Sequence, residues 1–155
     1  MGTHNIEEKL KAMGLTLPTL PTSKGIYKRC VEVGNQIYVS GHVSVSDDGK
    51  LLTGKLGSSL SDDEGKIAAR QAGLAILVSL KDHLGTLDKI KRVIKLLGMV
   101  NSAPEYTNHP LIINGCSELF AELWGHENGI GVRSAVGMGS LPGNVAVEIE
   151  AIFEI

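Results

Sequence analysis

Hydrophobic and polar residues alternate most clearly at the C-terminal end of the chain. Val145, Val147, Ile149, Ala151, Phe153 and Ile155 interleave with Ala146, Glu148, Glu150, Ile152 and Glu154. That period of two predicts a strand with one apolar face, packed on helices, and one face carrying acids. The segment before it alternates too: Arg133, Ala135 and Gly137 fall on one side, and Val132, Ser134, Val136 and Met138 on the other. The two strands, Ile130 to Gly139 and Asn144 to Ile155, are joined by Ser140-Leu141-Pro142-Gly143. Paired as a hairpin, they would set Arg133 and an acid of the last strand together on the face away from the helices.

Upstream, Ser61-Asp62-Asp63-Glu64 is a capping box that opens the longest helix, Asp62 to Leu84. Ile67, Leu74, Leu77, Val78 and Lys81 fall at helical spacing, and Gly85 is a natural stop. A second long helix is predicted over Pro110 to Leu123. Between them, Ile90 to Asn101 is apolar and β-branched, which predicts a strand buried on both faces. Strands over Tyr27 to Val33 and Gln36 to Ser40 flank Gly34-Asn35, a hairpin turn signal. Ser46 to Lys50 is a second turn, with a short strand resuming at Leu51. The chain begins with a short helix from Asn5 to Gly14 and an extended connector, Leu15 to Lys24, set by Pro18 and Pro21. The order predicts one α+β domain over residues 1–155, with about six strands and two helices on one sheet face. The opposite face would be left bare, which predicts an oligomer.

Composition narrows the function. The 155 residues are 43% hydrophobic and 21% charged, the balance of an ordinary globular protein, with a net charge of −2. No basic excess tracks a phosphate backbone, and at 4% aromatics there is little to stack bases on. No apolar run approaches the roughly 18 residues of a membrane span. Met1 to Ile6 lack a signal-peptide pattern, so the expected location is the cytoplasm. Cys30 and Cys116 have no CxxC setting and read as reduced, buried thiols. His4, His42, His83, His109 and His126 show no metal spacing.

Arg133 stands out inside a strand of small and apolar residues. It reads either as an edge arginine paired with Glu148 or Glu150, or as a clamp that binds a carboxylate through two hydrogen bonds. Glu148 and Glu150 share one face, either as a solvated or interface-paired surface or as a general acid or base tuned by burial. Spacing alone does not choose between them. His42 follows Ser40-Gly41 at a strand end and is a candidate pocket residue.

The stretch from Arg133-Ser134 through Leu141-Pro142 to Val147-Glu148-Ile149-Glu150-Ala151-Ile152 resembles the signature of the RidA family, also called YjgF/YER057c/UK114 or L-PSP. Gly25-Ile26-Tyr27, Gly34-Asn35 and Tyr38-Val39-Ser40-Gly41 add to the resemblance, which covers about Gly25 to Ile155. It implies a chorismate-mutase-like α+β fold, a homotrimer, and ligand clefts between subunits. It further implies a cofactor-free hydrolysis of reactive enamines and imines, such as 2-aminoacrylate, to 2-oxo acids and ammonia. By position, Arg133 would clamp the substrate carboxylate, Glu148 would orient the attacking water, and the carbonyl of Ala135 would hold the substrate nitrogen. Tyr27, Ser40 and Asn114 match family pocket positions. Ile26 and His42 depart from the usual Gly-Pro-Tyr and Ser-Gly-Gln motifs. The segment from Ser102 to Pro110 is longer, and the N-terminal helix is extra, which together imply a divergent subgroup. A non-catalytic binder of small carboxylates is the alternative within the same fold. An endoribonuclease is a third reading, disfavoured by the acidic pI of about 6.2.

Overall fold

A computed structural model describes residues 5–155, so the readings of Met1 to His4 lie outside the described residues. The short helix α1 (Ile6–Ala12) is capped by Asn5, whose side chain accepts from the Glu8 N–H. An extended connector leads to β1 (Cys30–Val33) and β2 (Gln36–Val43), which form a hairpin around Gly34 at φ 60°. Helix α2 (Asp62–Leu84) starts at the Ser61/Glu64 capping box and ends at Gly85, φ 83°. Strand β3 (Arg92–Asn101), helix α3 (His109–Gly129), β4 (Val132–Met138) and β5 (Val147–Glu154) follow.

The architecture is the expected α+β chorismate-mutase-like one, with five strands rather than six, in the order β1-β2-β5-β3-β4. The strand expected at Leu51 is reduced to a single bridge with Val45. The first strand starts at Cys30, not Tyr27, and β2 runs on to Val43. Helix α3 outruns its expected end at Leu123, but Gly125 breaks its helical geometry there (φ 79°, ψ 167°).

The hairpin expected between the last two strands does not form. Strand β5 inserts antiparallel between β2 and β3, and β4 lies parallel to β3 at the sheet edge. The physical reason is burial. A central strand shields both flanks of its ladder, and Val147, Ile149, Ala151 and Phe153 of β5 all lie in the core. The connecting turn over Pro142–Asn144 therefore has to pass the end of β3.

Helices α2 and α3 pack side by side on one sheet face. Small residues bring them close: a Cβ on Gly115 would collide with the Lys66 carbonyl. Helix α2 is buried almost all round from Ala72 to Leu77. Ile67, expected on its packed stripe, is instead 61% exposed. Phe120 meets Trp124 and Phe153 edge-to-face, and Trp124 and Phe153 are tilted to each other, with ring centroids 5.6–6.1 Å apart.

The register assigns each side chain to a face. Arg133 pairs with Leu96 and Leu96 with Ala151, a core residue, so Arg133 faces the helices. Ala135 pairs with Gly98 and Ile149 in the same way. Both were expected on the bare face, an assignment that followed from the hairpin and falls with it. The open face carries Val31, Tyr38, Leu97, Val136 and Ile152 between the acids of β5. Val31 and Tyr38 are each 44% exposed, so a sizeable apolar patch is left uncovered.

Candidate functional site

The register between β2 and β5 slips between Val39 and His42, so Ser40 and Gly41 form a bulge. The Arg29 carbonyl accepts from the Ser40 N–H (2.9 Å) and holds the bulge from the other side. Glu148 pairs with Val43 just beyond, and its carboxyl folds back over Gly41. A Cβ at position 41 would collide with Glu148 Oε1, so the glycine makes the seat for the carboxylate. Burial pushes the Glu148 pKa above the ordinary glutamate value, and the negative charge of Glu150 adds to the rise.

His42 is buried at 6% exposure, beneath the bulge on the helix face. Its Nδ1 lies 2.6 Å from the Ser40 carbonyl and its Nε2 lies 2.6 Å from Ser79 Oγ of α2. A carbonyl only accepts, so Nδ1–H donates to it. Burial lowers the ring's pKa below the ordinary value and so favours the neutral form, in which Nε2 accepts from the Ser79 hydroxyl.

These residues line a cavity of about 420 Å³, bounded by Tyr27, Ser40, Gly41, His42 and Glu148. Leu20, Pro21 and Lys24 of the connector complete its wall, together with Arg29. Glu150 lines a separate, smaller hollow with Lys28 and Lys95. Of the two acids that spacing left equivalent, Glu148 is therefore the one in the cavity.

Arg133, Asn114 and Ala135 lie elsewhere. The Arg133 guanidinium donates to Ser117 Oγ (3.0 Å) and to the Pro110 carbonyl (3.1 Å), both on α3. Asn114 falls between those two partners at helical spacing, four residues after Pro110 and three before Ser117. No carboxylate among the described residues forms an ion pair with Arg133. Strand β4 is an edge strand, and the Met138 carbonyl accepts from the Ser102 N–H on the β3 side. Strand alternation then turns the carbonyl of Ala135 away from β3, toward the free edge. Beside it, Ser102 Oγ and His109 Nε2 are 3.2 Å apart under Gly137.

The seven predicted site residues thus form two groups on one chain: Tyr27, Ser40, His42 and Glu148 in the cavity, and Arg133 and Ala135 on β4, with Asn114 on α3 between the two residues that hold Arg133. Sequence reasoning missed Arg29, Lys24, Gly41 and the supporting hydroxyls of Ser79 and Ser117. A glycine inside a strand was the available signal for the bulge; the supporting residues carry no local signal. Among the described residues, no cluster of His, Cys, Asp and Glu is placed to hold a metal ion, and no helix is long and apolar enough to cross a membrane.

The family model described as "YjgF/chorismate_mutase-like, putative endoribonuclease" matches residues 7–148. The chain belongs to the YjgF/RidA family. Protein TCP17 of Trypanosoma cruzi is 38% identical over 150 residues, covering 97% of this chain and 94% of that protein. The crystal structure of the protein Atu1372 from Agrobacterium tumefaciens is 41% identical, covers 99% and 95% of the two chains, and has a TM-score of 0.87. A Shewanella oneidensis structure, named for the same endoribonuclease label, is 30% identical over 97% and 99%, with a TM-score of 0.91. RidA from an Antarctic Psychrobacter is 25% identical over 90% and 98%, with a TM-score of 0.59. This RidA-family chain is therefore much nearer in geometry to the first two structures than to the protein that bears the RidA name.

Proposed function

We propose that the protein hydrolyses 2-imino acids, and the enamines that tautomerise to them, to 2-oxo acids and ammonia. Its working site would join the Glu148 cavity of one copy to the Arg133 edge of another. One observation carries the reading. The Arg133 guanidinium is oriented by neutral groups, a hydroxyl and a carbonyl, and its charge is left for a ligand carboxylate. An arginine serving only the fold would be expected to pair with an acid.

The chemistry asks little of the protein. A protonated imine is already electrophilic at C2, so it needs a fixed carboxylate and one placed water. Arg133 holds the carboxylate, and the outward carbonyl of Ala135 accepts from the substrate N–H. Glu148 takes a proton from the water as its oxygen bonds to C2. Glu148 returns that proton to the nitrogen of the resulting carbinolamine, the C–N bond breaks, and ammonia leaves as the hydroxyl proton passes to Glu148 and the C2–O bond becomes a carbonyl. Glu148 then gives that proton to the ammonia, so the balance is protonated imine plus water giving 2-oxo acid plus ammonium. The burial that raises the Glu148 pKa makes its carboxylate a better base, provided the pH keeps it ionised.

The test is interception of freshly generated imines. An amino-acid oxidase supplies them and semicarbazide traps what survives. Wild type is expected to remove the imine before the trap does, and Arg133→Ala to lose that ability. If wild type accelerates the decay of no imine but still binds 2-oxo acids through Arg133, the protein is a carboxylate-binding module instead.

A further inference from the structure

We infer that Arg29, assisted by Lys24, recognises a second carboxylate on the substrate, so that the preferred imines are 2-imino dicarboxylic acids. The inference rests on the deaminase reading for the reacting group, and on the cavity itself for the second anion.

Arg29 borders the same 420 Å³ cavity as Glu148. Its backbone is fixed, because its carbonyl accepts from both the N–H and the hydroxyl of Ser40 at the bulge. One guanidinium N–H donates to the Pro21 carbonyl (3.0 Å), which ties the side chain to the connector. The rest of the fork has no side-chain acceptor, and neither Arg29 nor Lys24 forms an ion pair among the described residues. The acids nearest in sequence and space do not neutralise it. Glu32 pairs with His83, and Asp82, which lines a second hollow together with Arg29 and Glu32, forms no ion pair with Arg29.

Glu148 does not neutralise it either. Both side chains line the cavity, yet no ion pair joins them. The cavity therefore has a base on one wall and a cation on another, held apart. A two-carbon or three-carbon imino acid clamped at Arg133 and attacked beside Glu148 leaves the Arg29 wall unused. A substrate with a terminal carboxylate reaches it, with its methylene carbons against Pro21, Val43 and Val45. A guanidinium fork matches a carboxylate through paired hydrogen bonds, and partial burial strengthens each of them. The volume suits a ligand longer than 2-aminoacrylate, lying within the ~300–1,000 Å³ of ordinary small-molecule sites.

The experiment compares two imine classes on the intact protein. Oxidases generate imines from aspartate or glutamate, and from alanine or norvaline, under the same trap. Wild type is expected to favour the acidic imines, and Arg29→Gln to lower the acidic-to-neutral rate ratio about tenfold, the worth of one charge-assisted contact. Arg29→Lys should restore part of the ratio, and Lys24→Ala should lower it less. Equal losses on both classes would overturn the inference, since Arg29 would then serve the reacting carboxylate or the fold. A wild-type preference for neutral imines would overturn it without any variant. If no imine of either class is intercepted, the deaminase reading fails and titration calorimetry judges this inference alone. Binding of 2-oxoglutarate at least tenfold tighter than 2-oxobutanoate, lost in Arg29→Gln, upholds it; equal affinities sink it.

Discussion

Arg133 and Glu148 stand on opposite faces of one sheet, on β4 and β5, with β3 between them. Strand β4 turns Arg133 toward α3, while Glu148 lies over Gly41 on the other side. No rotamer change lets them meet on one ligand within a chain. If both act on the same imine, they come from different copies. Mixed oligomers of Arg133→Ala and Glu148→Gln, each strongly impaired alone, should then regain activity after subunit exchange. Random assembly predicts about a quarter of wild-type activity, because one interface in four carries both native residues. No recovery after exchange, verified by mass spectrometry, would count against a shared site.

Glu148 should weaken the fold that it serves. Its folded-state pKa is raised by burial, so the native state binds its proton more readily than the unfolded chain does. Stability attributable to it falls as pH rises through the window between the ordinary and the raised value, and the full cost is present above that window. Glu148→Gln removes the charge. At pH 7.5 its Tm should rise by about 1–3 °C, a small gain because the group is half-exposed to screening solvent. At pH 4 the gain should vanish. Imine hydrolysis should drop by about 10²-fold, the usual worth of a positioned base. A Tm that does not move at pH 7.5 would mean the carboxylate is better solvated than its seat implies.

Gly41→Ala separates the seat from the base. The new Cβ would occupy the place of Glu148 Oε1, which is the end of a flexible side chain and can move. The fold should lose little, about 1 kcal/mol or less, since no backbone atom is struck. Activity should fall nearly as far as in Glu148→Gln, because the displaced carboxylate no longer addresses the same water. Retained activity in a folded Gly41→Ala protein would show that the bulge does not position the base.

Local signals were legible where one segment decides them. The bounds of α2 follow from the Ser61/Glu64 box and the left-handed Gly85, both of which act within one turn. The β5 alternation correctly marked Val147, Ile149, Ala151 and Phe153 as core residues, but Ala146, expected among the acids, is buried with them, and Ile155 is only partly buried. Alternation says nothing about which strand lies alongside, and that was the source of the error at Arg133. Hairpin pairing is the default for consecutive strands, but β5 gains more by burying both edges between β2 and β3. The division of the site into two groups follows from that non-local choice. Arg29 escaped notice for a related reason: a cation beside a strand is ordinary until the fold shows it without an ion pair on a cavity wall.

Close helix packing yields a stability prediction away from the site. Gly115 of α3 rests on the Lys66 carbonyl of α2, and a Cβ there would strike backbone rather than a movable side chain. Gly115→Ala must therefore part the helices or shift the peptide. The expected cost is about 1–3 kcal/mol, a Tm loss of ~3–10 °C for a domain of this size. Gly139→Ala meets nothing within 4 Å and serves as the control. Equal melting of the two variants would mean that the helices yield freely at this crossing.

His42 links stability to mildly acidic pH. Its folded-state pKa lies below the ordinary histidine value of 6.5, chiefly through burial. The unfolded chain therefore binds a proton that the native protein resists, so stability rises with pH across that window. The contribution is fully present above pH 6.5 and is lost as pH falls through the folded-state value. His42→Gln keeps one donor for the Ser40 carbonyl and one acceptor for the Ser79 hydroxyl without the titration. The Tm of wild type should fall more steeply than that of His42→Gln between pH 7.5 and pH 5.5, as measured by scanning calorimetry at each pH. The remaining histidines are common to both proteins and cancel in the comparison. Parallel pH profiles would mean that the ring admits its proton without disturbing the Ser40–Ser79 bridge, and the bulge beneath Glu148 would then owe nothing to the neutral tautomer.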